Sequence, residues 1–458
     1  MSKQKKSSSS LAWSRRQWFQ AMVGSALAGT GWLRSLAADI GDKPERKRNC
    51  ILLWMNGGPS TIDLWDVKPG QANAGPVRDI ATKTPGLRFG ELLPNMAKWS
   101  DQLAVIRSMQ TKEGDHGRAT FLLRTGNLPQ GPVQYPTIGG LLAKELARPD
   151  IDLPCHVRIT PPFRDRTFGL GNGAGFLGPQ FAPLLIGENA EAQPNIDVAL
   201  GVQDLVGPGG ISTDEARTRV DLLRALDQSF FAVRPNHLTA AHQGAVDQAI
   251  RLMRPQAASA FRLDQEPVKV RDRFGRSLFG QGCLLARRLV ERGVAFVEVA
   301  LEGWDTHNQN FDALNRLVPQ VDMAWSALML DLAERDLLAT TTIAWMGEFG
   351  RTPKINSGNG RDHYPNAWAT VLAGGGIKGS QAIGKTSPDG SEVVDRPVTV
   401  PDLLATICRA LGVDPLKQNL SNVGRPIRIV DKSARPIEEA KNHLKNLVCR
   451  TLNRGLHD

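Results

Sequence analysis

Cys50-Ile51-Leu52-Leu53-Trp54-Met55-Asn56-Gly57-Gly58-Pro59-Ser60 carries the first decision about the fold. Six apolar residues in succession end abruptly in a turn of Asn, Gly, Pro and Ser. A strand with one wet face would alternate apolar and polar residues. An unbroken run predicts a strand covered on both faces, as in a parallel sheet between helical layers. The pattern recurs outward from there. Leu103 to Ser108 predicts a second strand. Gly280 to Arg292 predicts a helix stopped by Gly293, and Val294 to Leu301 a buried strand after it. Phe311 to Leu338 reads as a long helix, Thr340 to Met346 as the next strand, and Thr370 to Ala373 as a further one leading into Gly374-Gly375-Gly376. Pro401 to Leu411 reads as a helix ended by Gly412. Helices alternating with apolar strands give the α/β class, with a mostly parallel central sheet flanked by helices.

The remaining segments are less regular. Residues 160 to 210 are rich in Gly, Pro and Asn, and a long excursion from the sheet is expected there. Ser212 and Glu215 form a capping-box pair that opens a helix with Val220, Leu223 and Leu226 on one face. Asn236 to Met253 reads as another helix, and the charged residues 431–458 as a peripheral helix or tail.

Charge and cysteine content narrow the class. The chain has 458 residues and a formal charge of +10, but six of its 56 basic residues (Lys3, Lys5, Lys6, Arg15, Arg16, Arg34) lie in residues 1–37 with no acid beside them. The rest carries 50 basic against 46 acidic side chains. There is no basic stripe interleaved with aromatics, so nucleic-acid binding is not expected. The five cysteines (Cys50, Cys155, Cys283, Cys408, Cys449) form no Cys-X-X-Cys pair, which argues against a zinc-thiolate site and favours buried apolar thiols. After export one disulfide would be permitted.

The N-terminal segment reads as an address. A polar, basic start is followed by Ser14-Arg15-Arg16-Gln17-Trp18-Phe19, a weakly apolar stretch from Ala21 to Leu33, and Ser35-Leu36-Ala37 with small residues at −3 and −1. This is the layout of a signal peptide cleaved after Ala37, and the paired arginines before a Gly-rich apolar region resemble a twin-arginine signal. The expected partner is the twin-arginine export machinery, and the expected destination is the periplasm or the cell exterior. No later run of 18 apolar residues exists, so no stable membrane span is expected after cleavage.

In open parallel sheets, ligands sit beyond the carboxyl ends of the strands. Here the first strand delivers Asn56 and Ser60. The strand ending at Leu301 delivers Gly303-Trp304-Asp305-Thr306-His307, and the one ending at Met346 delivers Gly347-Glu348-Phe349-Gly350-Arg351-Thr352-Pro353. A further loop supplies Gly360-Arg361-Asp362-His363. Asp305 and His307 are two apart, so they point the same way in an extended segment. Carboxylate and imidazole together suit a divalent cation. Asn56, Asp305, His307, Glu348, Asp362 and His363 are therefore the candidate metal ligands, for Zn, Ca, Mg or Mn. Arg118 and Arg351 are candidates to neutralise a phosphate or sulfate group. Singly, each has a plainer reading: Asp305-Thr306-His307 as an Asx-turn, Glu348 paired with Arg351, Asp362 capping a turn. His156, His237 and His242 read as structural, and His443 and His457 belong to the tail.

Taken in order, Trp54 to Ser60, Asp115-His116-Gly117-Arg118-Ala119, Gly175-Phe176-Leu177-Gly178, Gly303 to His307, Gly347 to Pro353 and Gly360 to His363 resemble the DUF1501 family, a sulfatase-like branch of the alkaline phosphatase superfamily. The resemblance spans residues 48 to 430 and implies an alkaline-phosphatase-like or sulfatase-like fold. It also implies a metal site in which Asn56 stands where the superfamily has a metal-binding Asp. Asp305 and His307 match an Asp and a nearby His at shorter spacing. Glu348-Phe349 replaces an Asp-His pair, and His363 matches the last His. Fewer ligands would then hold one metal rather than two. The segment from His116-Gly117-Arg118 to Thr125-Gly126 resembles the sulfatase nucleophile segment but lacks its Cys or Ser. That leaves His116 as ligand, acid or base, and Ser60, Thr120 or a metal-bound water as nucleophile. The expected function is an exported metal-dependent hydrolase of small-molecule or glycan sulfate or phosphate esters. The alternative is a catalytically silent exported protein that binds an anionic glycan or a partner protein.

Overall fold

All seven residues of β1 (Asn49–Met55) are buried, and they divide by parity. Ile51, Leu53 and Met55 enter one apolar cluster, while Cys50, Leu52 and Trp54 enter another. The strand is thus covered on both faces, as its unbroken apolar run requires. The protein is described here by a computed structural model, which covers residues 48–442 apart from 130, 149, 160–172, 189–192, 194, 203, 204, 206–210 and 234–236. The proposed signal segment, residues 1–37, and the last part of the tail, with His443, Cys449 and His457, lie outside the described residues.

Seven further strands complete the sheet: β2 (Leu103–Met109), β3 (His156–Ile159), β4 (Leu184–Ile186), β5 (Phe296–Leu301), β6 (Thr341–Met346), β7 (Trp368–Gly374) and β8 (Gln381–Ile383). Their order is β8-β2-β7-β6-β1-β5-β3-β4. β1 runs parallel to β5 and β6, β3 parallel to β5 and β4, and β2 parallel to β8. Only β7 opposes its neighbours β6 and β2. No crossover helix lies between β6 and β7, so the chain turns back at the same edge and pairs antiparallel. Consequently β7 begins at the edge where β1, β5 and β6 end. The run Gly374-Gly375-Gly376 falls at the opposite edge, where Gly375 N donates to Thr341 O.

Helices α1 (His116–Thr125), α2 (Ile138–Leu146) and α7 (Val400–Ala410) supply apolar side chains to the Trp54 face. On the Ile51 face lie α5 (Leu278–Glu291) and α6 (Asn310–Glu334). Two more helices, α3 (Thr213–Val233) and α4 (His237–Leu252), precede α5. A capping box, Thr399 with Asp402, starts α7, and Pro401 in its first turn presets the helical backbone there.

Three features differ from the sequence reading. β3, β4 and β8 were not expected; strands of three or four residues are too short to show a period. β4 lies inside the stretch read as an excursion, so that stretch returns to supply the edge of the sheet. The start of the tail belongs to the folded body. Arg435 N donates to Asp402 Oδ1, Ile437 N donates to Thr406 Oγ1, and Ile437 and Ala440 are buried. The four described cysteines are free thiols, with Cys50, Cys283 and Cys408 buried. Among the described residues no helix is long and apolar enough to cross a membrane.

Candidate metal centre

The carboxyl edge of the sheet is drawn together by close backbone packing. Gly57 has φ +118°, and a Cβ there would lie 2.3 Å from Asp305 N, so only glycine lets the turn after β1 rest on the Asp305 backbone. Trp304 N donates to Asn56 O at 3.2 Å, and Gly57 N donates to Glu348 Oε1 at 2.9 Å. The turns after β1, β5 and β6 are thus fastened to one another. From the other side, Asp115 caps α1 by accepting from Arg118 N, which makes His116 the first residue of that helix. Gly360 completes the packing: a Cβ would meet His307 O at 1.9 Å.

Three imidazoles and one carboxylate meet at this edge. Asp305 Oδ1 lies 3.2 Å from His116 Nε2, 3.2 Å from His307 Nε2 and 3.3 Å from His363 Nε2. His307 Nε2 and His363 Nε2 are 2.9 Å apart. Donor atoms of His116, Asp305 and His363 all lie within 4.8 Å of one another, and His307 flanks that group. The opposite nitrogen of each ring has its own partner. His116 Nδ1 is 2.6 Å from Glu348 Oε1, His307 Nδ1 is 2.8 Å from Asp362 Oδ1, and His363 Nδ1 is 2.8 Å from Gly114 O. A carbonyl or ionised carboxylate only accepts, so these partners assign the proton of a neutral ring to Nδ1 and leave Nε2 as a lone pair. Buried Phe349 packs against the His116 and His363 rings at centroid distances of 4.9 and 4.6 Å. Lone pairs therefore face lone pairs, an arrangement that fits a cation among them.

Charge at the site follows from these contacts. Burial alone would raise the Asp305 carboxyl, but His116, His363 and Arg351 outweigh it and hold Asp305 far below the usual carboxylate range. Burial likewise opposes charge on His116, yet Asp305 and Glu348 prevail and push it up to about 9. Without a metal, then, His116 carries a proton at neutral pH.

Each candidate site residue has a definite place, whereas the side chains of His237 and His242 lie outside the described residues. Asp305, His307 and His363 converge, and His116 joins them, restoring an imidazole that the Glu348-Phe349 pair had removed from the expected set. Glu348 is buried and touches His116 and Gly57 N, while Asp362 is bonded to His307 and Asn356. Both orient histidines. Asn56 Oδ1 accepts from Trp54 Nε1 at 3.3 Å. Arg351 is fully buried: it donates to Gly58 O, Arg361 O and Gly57 O, and to Asp305 Oδ1 at 2.6 Å. Its guanidinium holds the loops and Asp305 rather than a substrate anion, and it does not pair with Glu348. Arg118 is exposed and held by Glu113 at 2.7 and 3.0 Å. Ser60 and Thr120 are buried. His156 lies on β3 against Phe296, and burial pushes it down to about 4, in keeping with its structural reading.

One supporting network was missed in the sequence. Arg361 and Asp63, both buried, form a two-pronged ion pair at 2.8 and 2.9 Å. Asn310 Nδ2 donates to Asp63 Oδ2, and Thr306 Oγ1 donates to Asn310 Oδ1. This chain ties the Asp305–His307 loop to the His363 loop. Its one sequence cue was Arg361 within Gly360-Arg361-Asp362-His363; Asp63 and Asn310 gave none.

A family model described as "Protein of unknown function (DUF1501)" matches residues 47–440. Among curated proteins none matches the chain in sequence. Among solved structures, the lipoteichoic acid synthase LtaP from Listeria monocytogenes is similar at 9% identity and TM-score 0.41, over 88% of this chain and 79% of that one. PsFucS1 sulfatase from Pseudoalteromonas sp. is similar at 15% identity and TM-score 0.40, over 84% and 70%. A protein in the alkaline phosphatase superfamily from Vibrio parahaemolyticus is similar at 12% identity and TM-score 0.38, over 80% and 67%.

Proposed function

The chain belongs to the DUF1501 family, and from the site it carries we propose that it is an exported, metal-dependent hydrolase of sulfate or phosphate esters, on small-molecule or glycan substrates. The observation that carries this reading is the meeting of His116, Asp305, His307 and His363 around Asp305 Oδ1. Those residues would hold the cation, which when bound would polarise an ester oxygen. Glu348, Asp362 and Gly114 O aim the imidazoles, and Arg351 anchors Asp305 from within the protein. Ser60 and Thr120 are buried, so the reading takes water as the nucleophile: its oxygen joins the phosphorus or sulfur, the ester bond breaks, and the alcohol leaves with a proton.

The test combines metal analysis of purified protein with a screen of aryl sulfates and aryl phosphates. Bound dication with turnover lost in Asp305→Ala supports the proposal. Absence of both bound metal and metal-stimulated turnover overturns it. A second reading, a catalytically silent binder of an anionic glycan or a partner protein, is favoured by one observation: Arg351 and Arg118 are both committed to protein partners. Turnover of any ester that depends on Asp305 removes that reading. Export through the twin-arginine machinery to the periplasm or cell exterior belongs to the same proposal and rests on Arg15-Arg16. Replacing both with Lys should retain the protein inside the cell; unchanged export would overturn it.

A further inference from the structure

The candidate centre is rich in nitrogen and poor in oxygen, and that imbalance bears on which ions it accepts. Six residues were candidate ligands, four of them with oxygen donors, yet one oxygen on each of three is already bonded elsewhere. Asn56 Oδ1 accepts from Trp54 Nε1. Glu348 Oε1 serves His116 Nδ1 and Gly57 N, and its buried Oε2, which has no hydrogen-bond partner, is the one candidate oxygen left over on that residue. Asp362 Oδ1 serves His307 Nδ1 and Asn356 Nδ2. What faces the centre is one carboxylate oxygen, from Asp305, and three imidazole nitrogens, from His116, His307 and His363.

We propose that this cluster selects a borderline transition-metal dication, of the Zn2+ or Fe2+ kind, and discriminates against Ca2+ and Mg2+. The inference rests on the metal-dependent reading above and narrows it. Ca2+ takes six to eight oxygen ligands, and Mg2+ holds an octahedral oxygen shell with several waters; one carboxylate oxygen serves neither. Imidazole suits zinc, iron and other first-row ions. The orientation is fixed as well as the element. Each Nδ1 is engaged by Glu348, Asp362 or the Gly114 carbonyl, so each neutral ring turns its Nε2 lone pair to the centre, with His116 exchanging its second proton for the ion. Buried Phe349 behind His116 and His363 restricts rotation of those two rings.

The full chain as purified, stripped with a chelator and dialysed, is titrated separately with Zn2+, Mn2+, Co2+, Ca2+ and Mg2+. Binding is read by calorimetry and thermal unfolding. Co2+ adds a spectroscopic readout, since imidazole ligation alters its visible absorption. The expected result is saturable, one-to-one binding of Zn2+ and Co2+ with a raised midpoint of unfolding, weaker binding of Mn2+, and no shift with Ca2+ or Mg2+ at the same concentrations. Glu348→Gln should weaken Zn2+ binding by about 10–100-fold without abolishing it, as loss of a ring-orienting partner does. Ca2+ or Mg2+ binding as tightly as Zn2+ would overturn the selectivity while leaving the metal-dependent reading intact. No binding by any of the five ions would overturn both.

Discussion

At Arg361 every donor meets an acceptor; two residues later, at His363, acceptor faces acceptor. The five N–H groups of the Arg361 guanidinium reach both Asp63 oxygens and the carbonyls of Asn73, Thr352 and Pro353. Charges and protons balance, and the pair is sealed from solvent. At His363 the balance fails. Nε2 looks at Asp305 Oδ1 and at His307 Nε2, and the ring protons are spent on the far side. The two regions share a loop and a set of strands, so the difference is not one of fold. A buried charge cluster whose donors and acceptors match is part of the scaffold. One whose neutral rings leave an excess of lone pairs fits a cation, a proton on His116 or a metal ion.

The largest expected effect lies on the matched side. Arg361→Ala leaves the Asp63 carboxylate buried without its cation, and breaking one partner of such a pair costs about 3–5 kcal/mol. Urea unfolding should show that loss with or without metal. A loss below about 1 kcal/mol would mean the pair is not the clamp described here.

The unmatched side should respond in the opposite sense. Asp305→Asn keeps a carbonyl oxygen for Arg351 while weakening the ligand set. The chelator-treated variant should unfold close to the chelator-treated parent. The parent alone should gain stability on adding Zn2+, about 2.7 kcal/mol at a hundred times its dissociation constant. If Asp305→Asn is as destabilised as Arg361→Ala without any metal, the contrast between the two regions collapses.

A pH series sharpens the same contrast. In the metal-free protein the His116 imidazole is held at about 9 by Asp305 and Glu348, above its ordinary value of 6.5. A group raised on folding stabilises fully below its unfolded value and loses that contribution as pH rises through the folded one. Thermal stability of the metal-free chain should therefore fall between roughly pH 6.5 and 9, with a smaller fall in His116→Gln. Zn2+ competes with the proton, so it should flatten the slope and bind more tightly toward the alkaline end. A slope unaffected by His116→Gln would mean another group carries it.

Much of this was legible in the sequence, for reasons that also explain the gaps. β1 announced its place at the centre of the sheet because burial on both faces leaves no polar position in Cys50 to Met55. Asp305, His307 and His363 were found because their strands end at one edge and polar residues follow each end. The antiparallel sense of β7 was hidden, since strand direction depends on the path between strands rather than on the composition of either. The division between ligands and orienting groups was hidden too. Glu348 and Asp362 have the chemistry of ligands, and only their spacing from His116 and His307 shows that they act through those rings. Arg351 illustrates the same difficulty: a guanidinium in a site loop suggests anion binding, until burial and three carbonyl partners assign it to the scaffold.

The smallest expected effect belongs to Arg118, the residue whose motif promised most. Its side chain lies at the surface in an ion pair with Glu113, where screening by water leaves little net interaction. The bond that shapes α1 comes from its backbone N–H to Asp115 Oδ1, which alanine retains. Alanine is also favourable within a helix. Arg118→Ala should therefore leave the midpoint of unfolding, the affinity for Zn2+ and the positions of His116 and Asp305 unchanged. On any ester the parent turns over, kcat/KM should stay within about twofold, well short of the tenfold that 1.4 kcal/mol of lost transition-state binding would give. A tenfold fall in kcat/KM with metal affinity intact would show Arg118 leaving Glu113 to meet the anion. The boundary between scaffold and site would then have to be redrawn to include the start of α1.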